Sequence, residues 1–198
     1  MTKEARALRE LQERLRGCRE CPLGDIGTQT VGGEGRGPLM LVGEAPGDHE
    51  DIQGRPFVGP AGRLLDSALE RLGWPRETVY LTNVVNHFKF EMRGKRRIHK
   101  TPAQREIAAC HHWLEEEIAL LRPKAIVALG ATAAASLLDR KVAVMRERGN
   151  WLVRGDGRPV LVTLHPSALL RLRGVEREEA IERWLEDLRR GTEPPPGI

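Results

Sequence analysis

Residues 39–62, LMLVGEAPGDHEDIQGRPFVGPAG, restrict the fold more than any other part of the chain. The segment opens as a short apolar run over 39–42. It breaks into a loop dense in Gly, Pro and acids, then re-enters order as a helix near Pro60. An apolar run, a Gly-rich turn and a helix in that order predict a buried parallel strand feeding a loop at its carboxyl end. In open α/β sheets that edge is where ligands bind. The loop gathers Glu44, Asp48, Glu50 and Asp51 around Gly43 and Gly47, where backbone can approach a ligand closely.

The remaining chain repeats the pattern. Residues 79–85 form a second β-branched strand, with Asn83 near its end and His87 just beyond. Residues 125–129 are an uninterrupted apolar third strand. One or two more follow around 151–153 and 160–164, the last running straight into His165. Helical spacing of apolar residues marks 3–16, 61–72, a long stretch opening at Thr101-Pro102 whose core face reaches Leu121, and 175–190. Alternating strands and helices predict an α/β three-layer sandwich: a central, mostly parallel four-stranded sheet flanked by helices. One domain spans 1–191, and 192–198 reads as a frayed tail. At 198 residues the chain can bury a substantial core. Three strand ends therefore carry Glu44 with Asp48, Asn83 and His165 to one edge, a convergence that predicts a site there.

The most basic segment, 90–100, lies just past the second strand. It holds Lys95, Arg96, Arg97 and Lys100 around His99, and reads as a loop overhanging that edge. A phosphate-binding role follows from its position. Net charge of +4 permits a polyanionic partner. Phe57 is either a packing residue or a platform for stacking a ring. Cys18-Arg19-Glu20-Cys21 places two thiols in a turn. That spacing suits a metal centre, with a redox pair or two buried thiols as the alternatives. With 3 cysteines, no internal pairing uses all of them, which fits a reduced compartment. The charged amphipathic start has no signal-peptide core and no apolar run is long enough to span a bilayer, so the expected location is the cytoplasm, with no membrane partner.

GEAPG with RPFVGPAG, TNVV, VALGATAA and HPSALL together resemble, in order and spacing, the iron–sulfur branch of the uracil-DNA glycosylase superfamily. The match runs from Cys18 to about Leu170. The segment KRRIHKTP, the GEAPGDHED form of the first motif and the His-Phe-Lys at 87–89 look like the UdgX-type proteins. Those excise uracil and become covalently joined to DNA through the histidine of that loop. The resemblance implies a 4Fe–4S cluster on Cys18, Cys21, Cys110 and His87, where ordinary members of the branch have a fourth cysteine. A Cys₃His zinc site is the alternative that the ligand types allow.

The resemblance further implies a monomer acting on uracil-containing DNA, with single strands preferred. Phe57 would stack on uracil, Asn83 would read its edge, and a neutral His165 would donate to its O2. Gly43 belongs to the same substrate pocket. Leu169 would be the wedge that fills a vacated stack, and Arg171 would join the loop cations on the DNA backbone. His99 would attack C1′, positioned by Glu44 and less directly by Asp48. The competing expectation is a turnover glycosylase in which water takes that place.

Overall fold

The computed structural model describes residues 3–194. Helix α1 (Lys3–Arg16) is followed by an irregular stretch and a two-residue strand β1 (Glu34–Gly35). Strand β2 (Leu39–Gly43) feeds the short helix α2 (Asp48–Gln53) and then α3 (Pro60–Arg71). Strand β3 (Val79–Asn83) leads to a hairpin, β4 (Phe90–Arg93) and β5 (Arg96–His99), and to the long helix α4 (Gln104–Leu121). Strand β6 (Ala125–Leu129), helices α5 (Ala131–Leu138) and α6 (Val144–Glu147), and strands β7 (Trp151–Val153) and β8 (Pro159–Thr163) come next. Helices α7 (Pro166–Leu169) and α8 (Gly174–Arg190) close the chain.

The sheet order is β1-β3-β2-β6-β8-β7. The four inner strands are parallel, as the apolar runs predict, and β1 and β7 are added antiparallel at the edges. These edge strands are short, and β1 lies in a Gly-rich stretch whose pairing is imposed by β3 and carries no signal of its own. Side chains alternate across the sheet. Met40, Val42, Ile126, Ala128, Val160 and Val162 face α4 and α5. Leu41, Leu81, Val127 and Leu161 face α3 and α8. Both faces are thus covered, the condition for a buried parallel sheet. The chain leaves β2 for β3 on one side and later returns to pair β6 on the other. The carboxyl ends of β2 and β6 therefore flank a topological switch point, where a crevice opens.

Two local readings change. The basic segment expected to be a loop is a hairpin, with Phe90 opposite His99 and Met92 opposite Arg97. Gly94 supplies its turn with φ 62°, a region open to glycine at no steric cost. The long helix starts at Gln104, because Glu106 turns back to accept from the backbone N–H of Ala103 at 2.6 Å. Thr101 is left out of the helix, free to line the crevice. Of the predicted tail, Glu193 still bonds back to Arg190 O at 3.0 Å, and residues 195–198 lie outside the described residues. Among the described residues no helix is long and apolar enough to cross a membrane.

Away from the crevice, Glu117 is a buried acid. The Tyr80 hydroxyl donates to Glu117 Oε1 at 2.8 Å, and both groups are buried. Burial pushes the Glu117 carboxyl up to about 7 from an ordinary 4.5. A raised carboxyl holds its proton in the folded state while the unfolded chain has already lost it. Stability should therefore fall as pH rises from about 4.5 to about 7 and stay lower above that. Glu117→Gln keeps an acceptor for Tyr80 and removes the ionisation. Thermal melts at pH 5 and pH 8 should show a smaller drop than in the wild type, by roughly 1–3 kcal/mol in stability.

Candidate functional site

The crevice at the switch point is a cavity of about 520 Å³ that brings together Glu44, Phe57, Asn83, His99, Thr132 and His165. Gly43 and Asn83 are opposite one another at the ends of β2 and β3. A Cβ on Gly43 would meet Asn83 Oδ1 at 2.4 Å and the Phe57 ring at 2.6 Å, so glycine is what lets the ring and the amide share one wall. Phe57 has φ 53°, a left-handed conformation that costs a non-glycine residue roughly 1–3 kcal/mol. Its surroundings hold it there. Arg76 donates to Pro56 O at 2.7 Å and to Phe57 O at 3.2 Å, and pairs with Glu34 and Asp66. At Gly62 a Cβ would stand 1.9 Å from Phe57 O, so the RPFVGPAG run is one mechanical unit. Phe57 is at once packed and presented to the cavity.

His165 follows β8 and caps the start of α7. Its Nδ1 accepts from the backbone N–H of Ser167 at 3.2 Å, with the Ser167 hydroxyl at 2.8 Å. A backbone N–H can only donate, so the ring proton resides on Nε2. Burial, assisted by the fields of His99 and Arg171, lowers the His165 pKa to about 4. The ring is neutral at pH 7 and offers an N–H.

Glu44 leaves the end of β2, its backbone O accepting from Val85 N at 3.0 Å. One carboxylate oxygen accepts from the Thr132 hydroxyl. The other stands 3.8 Å from His99 Nε2. His99 is partly exposed and rests against the Phe88 ring, centroids 6.1 Å apart. Burial lowers its pKa and outweighs the opposing pull of Glu44. A neutral imidazole beside a carboxylate is a nucleophile with a proton acceptor at hand.

The hairpin that carries His99 is anchored by Arg97, two residues earlier on the same face. The Arg97 Nε pairs with Asp48 Oδ1 at 2.6 Å, and its Nη1 donates to Asp51 Oδ2 at 2.6 Å. The guanidinium also lies over the Phe88 and Phe90 rings, at 5.4 and 5.1 Å. Arg97 was expected on the DNA backbone and is instead spent inside the protein. Asp48 correspondingly acts as its partner. Lys95 and Arg96 are exposed at the hairpin tip, Lys100 pairs with Glu91 at 3.2 Å, and Arg171 is exposed at the cavity mouth. Leu169, expected as the wedge, is fully buried in the core against α3 and α8 and cannot enter a base stack. Its neighbour Leu170 lines the cavity in its place.

Two buried acids of the loop have structural duties that the sequence reading did not foresee. Glu50 accepts from Gly47, Val58 and Gly59 backbone N–H groups at 3.1, 3.0 and 2.7 Å, closing the loop on itself. Asp51, fully buried, accepts from Thr28 N at 2.9 Å besides binding Arg97. Their one sequence signal is proximity to Gly47 and Gly59.

The three cysteines and His87 lie outside the cavity lining. Cys18, Cys21 and Cys110 are buried free thiols. Burial, with the neighbouring Cys21 and Cys18 adding to it, pushes the Cys110 thiol up to about 12. His87 is 1% exposed and neither ring nitrogen has a hydrogen-bond partner among the described residues. Leaving such a ring unpaired is costly. Among the described residues no three His, Cys, Asp or Glu side chains close around a point as ligands of a single ion. The donor set, three thiols and an orphaned imidazole, fits a group that takes soft sulfur and nitrogen ligands.

The family model for the uracil DNA glycosylase superfamily matches residues 31–189, from the strand before the first motif to the end of α8. The chain belongs to the uracil-DNA glycosylase superfamily. It is 41% identical over 181 residues to a Type-4 uracil-DNA glycosylase of Thermotoga maritima, covering 90% of this chain and 89% of that one. It is 40% identical to a Type-4 uracil-DNA glycosylase of Pyrobaculum aerophilum, over 83% of this chain and 85% of that one. A third Type-4 relative, of Archaeoglobus fulgidus, is 34% identical with 83% of each chain covered. The superfamily match takes in every cavity residue named above.

Arg97→Ala would strand the fully buried Asp51 carboxylate and release the hairpin. Loss of one partner from such a buried pair costs about 3–5 kcal/mol. The variant should melt lower by several degrees, and hydrogen exchange should rise over 88–100 more than over the sheet. Equal protection of the hairpin in variant and wild type would refute the anchoring role.

Proposed function

We propose that the protein excises uracil from DNA and is then captured on the abasic sugar through His99. The observation that carries this reading is the pairing of His99 with Glu44 across the same cavity that holds Phe57, Asn83 and His165.

An extrahelical nucleotide enters the cavity. Phe57 stacks on the base, and the Asn83 amide offers a donor and an acceptor to its O4 and N3–H, a combination that cytosine mismatches. The N-glycosidic bond breaks with its electron pair leaving on uracil. The neutral His165 donates its Nε2–H to O2 as charge gathers there, a contribution of about 10²–10³-fold for one such donor. The sugar acquires oxocarbenium character. A lone pair on a ring nitrogen of His99 forms the bond to C1′. The imidazolium so produced passes its remaining N–H proton to Glu44, and the uracil anion takes a proton from water. The product is a neutral alkylated imidazole, with no base in place to reverse the bond.

Lys95, Arg96, Lys100 and Arg171 meet the phosphates. With Leu169 in the core, no leucine at that position refills a stack, which favours single-stranded substrate. We also propose that Cys18, Cys21, Cys110 and His87 hold a 4Fe–4S cluster. These residues would tie α1 and the segment after β3 to α4 through the cluster, and a neutral His87 ligand would give a higher potential than four thiolates.

A turnover glycosylase in which water attacks C1′ is the second reading, favoured by the likeness to Type-4 relatives. A denaturing gel with uracil-containing single-stranded DNA separates the two. Capture predicts a slow band that survives heat and detergent, about one adduct per protein molecule. His99→Ala should lose the band by at least about a hundredfold while still releasing uracil. Abasic DNA with no such band in the wild type would establish the turnover enzyme. Salt-sensitive retention without any free uracil would overturn both readings.

A further inference from the structure

A carboxylate that is to face a nucleophile needs its other oxygen held. In this site one residue does so, and it comes from an element that the proposed chemistry does not otherwise use. Thr132 is in the first turn of α5, next to the end of β2, and its hydroxyl donates to Glu44 Oε2. Glu44 Oε1 is the oxygen left facing His99 Nε2 at 3.8 Å. The start of α5 is itself fixed, since Gly130 N donates to Thr163 O at 2.9 Å at the end of β8. The Glu44 side chain keeps about a quarter of its surface exposed, 24%, so without a tether it can rotate toward solvent.

From this geometry we infer that Thr132 is a positioning residue for the Glu44–His99 pair, completing a Thr–Glu–His relay that spans the switch point from β6 to the hairpin. The inference rests on the proposed reading of His99 and Glu44. Thr132 lines the cavity, and its hydroxyl is committed to Glu44. It acts by fixing which carboxylate oxygen is available when His99 must shed its proton. Losing a hydrogen bond to a charged group corresponds to roughly a 10- to 100-fold change in rate.

The comparison is Thr132→Val, close in shape but without the donor, against Thr132→Ser, which keeps it. Single-turnover capture of uracil-containing single-stranded DNA is followed on the denaturing gel, and DNA affinity is measured separately with an abasic analogue. At saturating DNA, Thr132→Val should capture at least about tenfold more slowly, with affinity within about twofold of wild type. Thr132→Ser should recover to within about threefold. In a Glu44→Gln background, Thr132→Val should have little further effect, because both changes break the same relay. Should the valine variant fail to fold, Thr132→Ala, a favourable helix residue, takes its place.

A variant that binds DNA more weakly, with a shallower salt dependence and an unchanged rate at saturation, would assign Thr132 to the phosphate backbone and overturn the inference. So would full additivity with Glu44→Gln. If the wild type releases uracil with no adduct, the reading of His99 fails and the relay with it; an adduct that forms at the wild-type rate in Thr132→Val would overturn the relay alone. Neither uracil nor adduct from the wild type would end the functional reading, and this inference with it.

Discussion

The site depends on one guanidinium. Arg97 enters a space bounded by Asp48, Asp51, Phe88 and Phe90 and exchanges bulk water for two carboxylates and two ring faces. Burying a charge is unfavourable unless the pairing is close and the remaining donors are used. Here the two acids meet the guanidinium at 2.6 Å on separate nitrogens, and Thr28 takes a further bond at 3.2 Å. The result is a basic hairpin tied through Arg97 to the loop after β2. Because strand residues two apart share a face, fixing Arg97 fixes His99 as well.

The two imidazoles at the cavity are set up differently by simple means. His165 is enclosed, its Nδ1 committed to Ser167, and its charged form is disfavoured by burial and by the Arg171 charge. It can donate one proton's worth of hydrogen bonding to a developing anion without releasing it. His99 is nearer solvent, faces a carboxylate, and keeps a lone pair available. In the proposed reaction one ring serves the departing base and the other the sugar it leaves. Their separation is enforced by the sheet, since one follows β8 and the other closes a hairpin after β3.

The sheet, its helices and the convergence of Glu44, Asn83 and His165 were legible in the sequence because apolar runs and strand ends are local signals. The edge strand at Glu34–Gly35 was not, as its pairing comes wholly from β3. The hairpin was missed because its register rests on Arg97 and two phenyl rings and not on an apolar face. Arg97 itself looked like its neighbours Lys95 and Arg96. A charge run does not say which cation is consumed by two acids, one of them buried, more than forty residues earlier in the chain. Leu169 and Leu170 were likewise indistinguishable until α7 turned one inward and the other toward the cavity. The structural duties of Glu50 and Asp51 depend on backbone N–H groups brought in by the fold, which leave no mark in composition.

The central claim is that the ring of His99, and no solvent molecule, closes on C1′. Peptide mapping by mass spectrometry after incubation with a uracil-containing oligonucleotide, followed by nuclease digestion, tests it most directly. The account predicts one modified peptide, containing His99 and carrying a base-free deoxyribose remnant on the imidazole. A full yield of free uracil with every peptide unmodified, or a remnant on any other side chain, would contradict it.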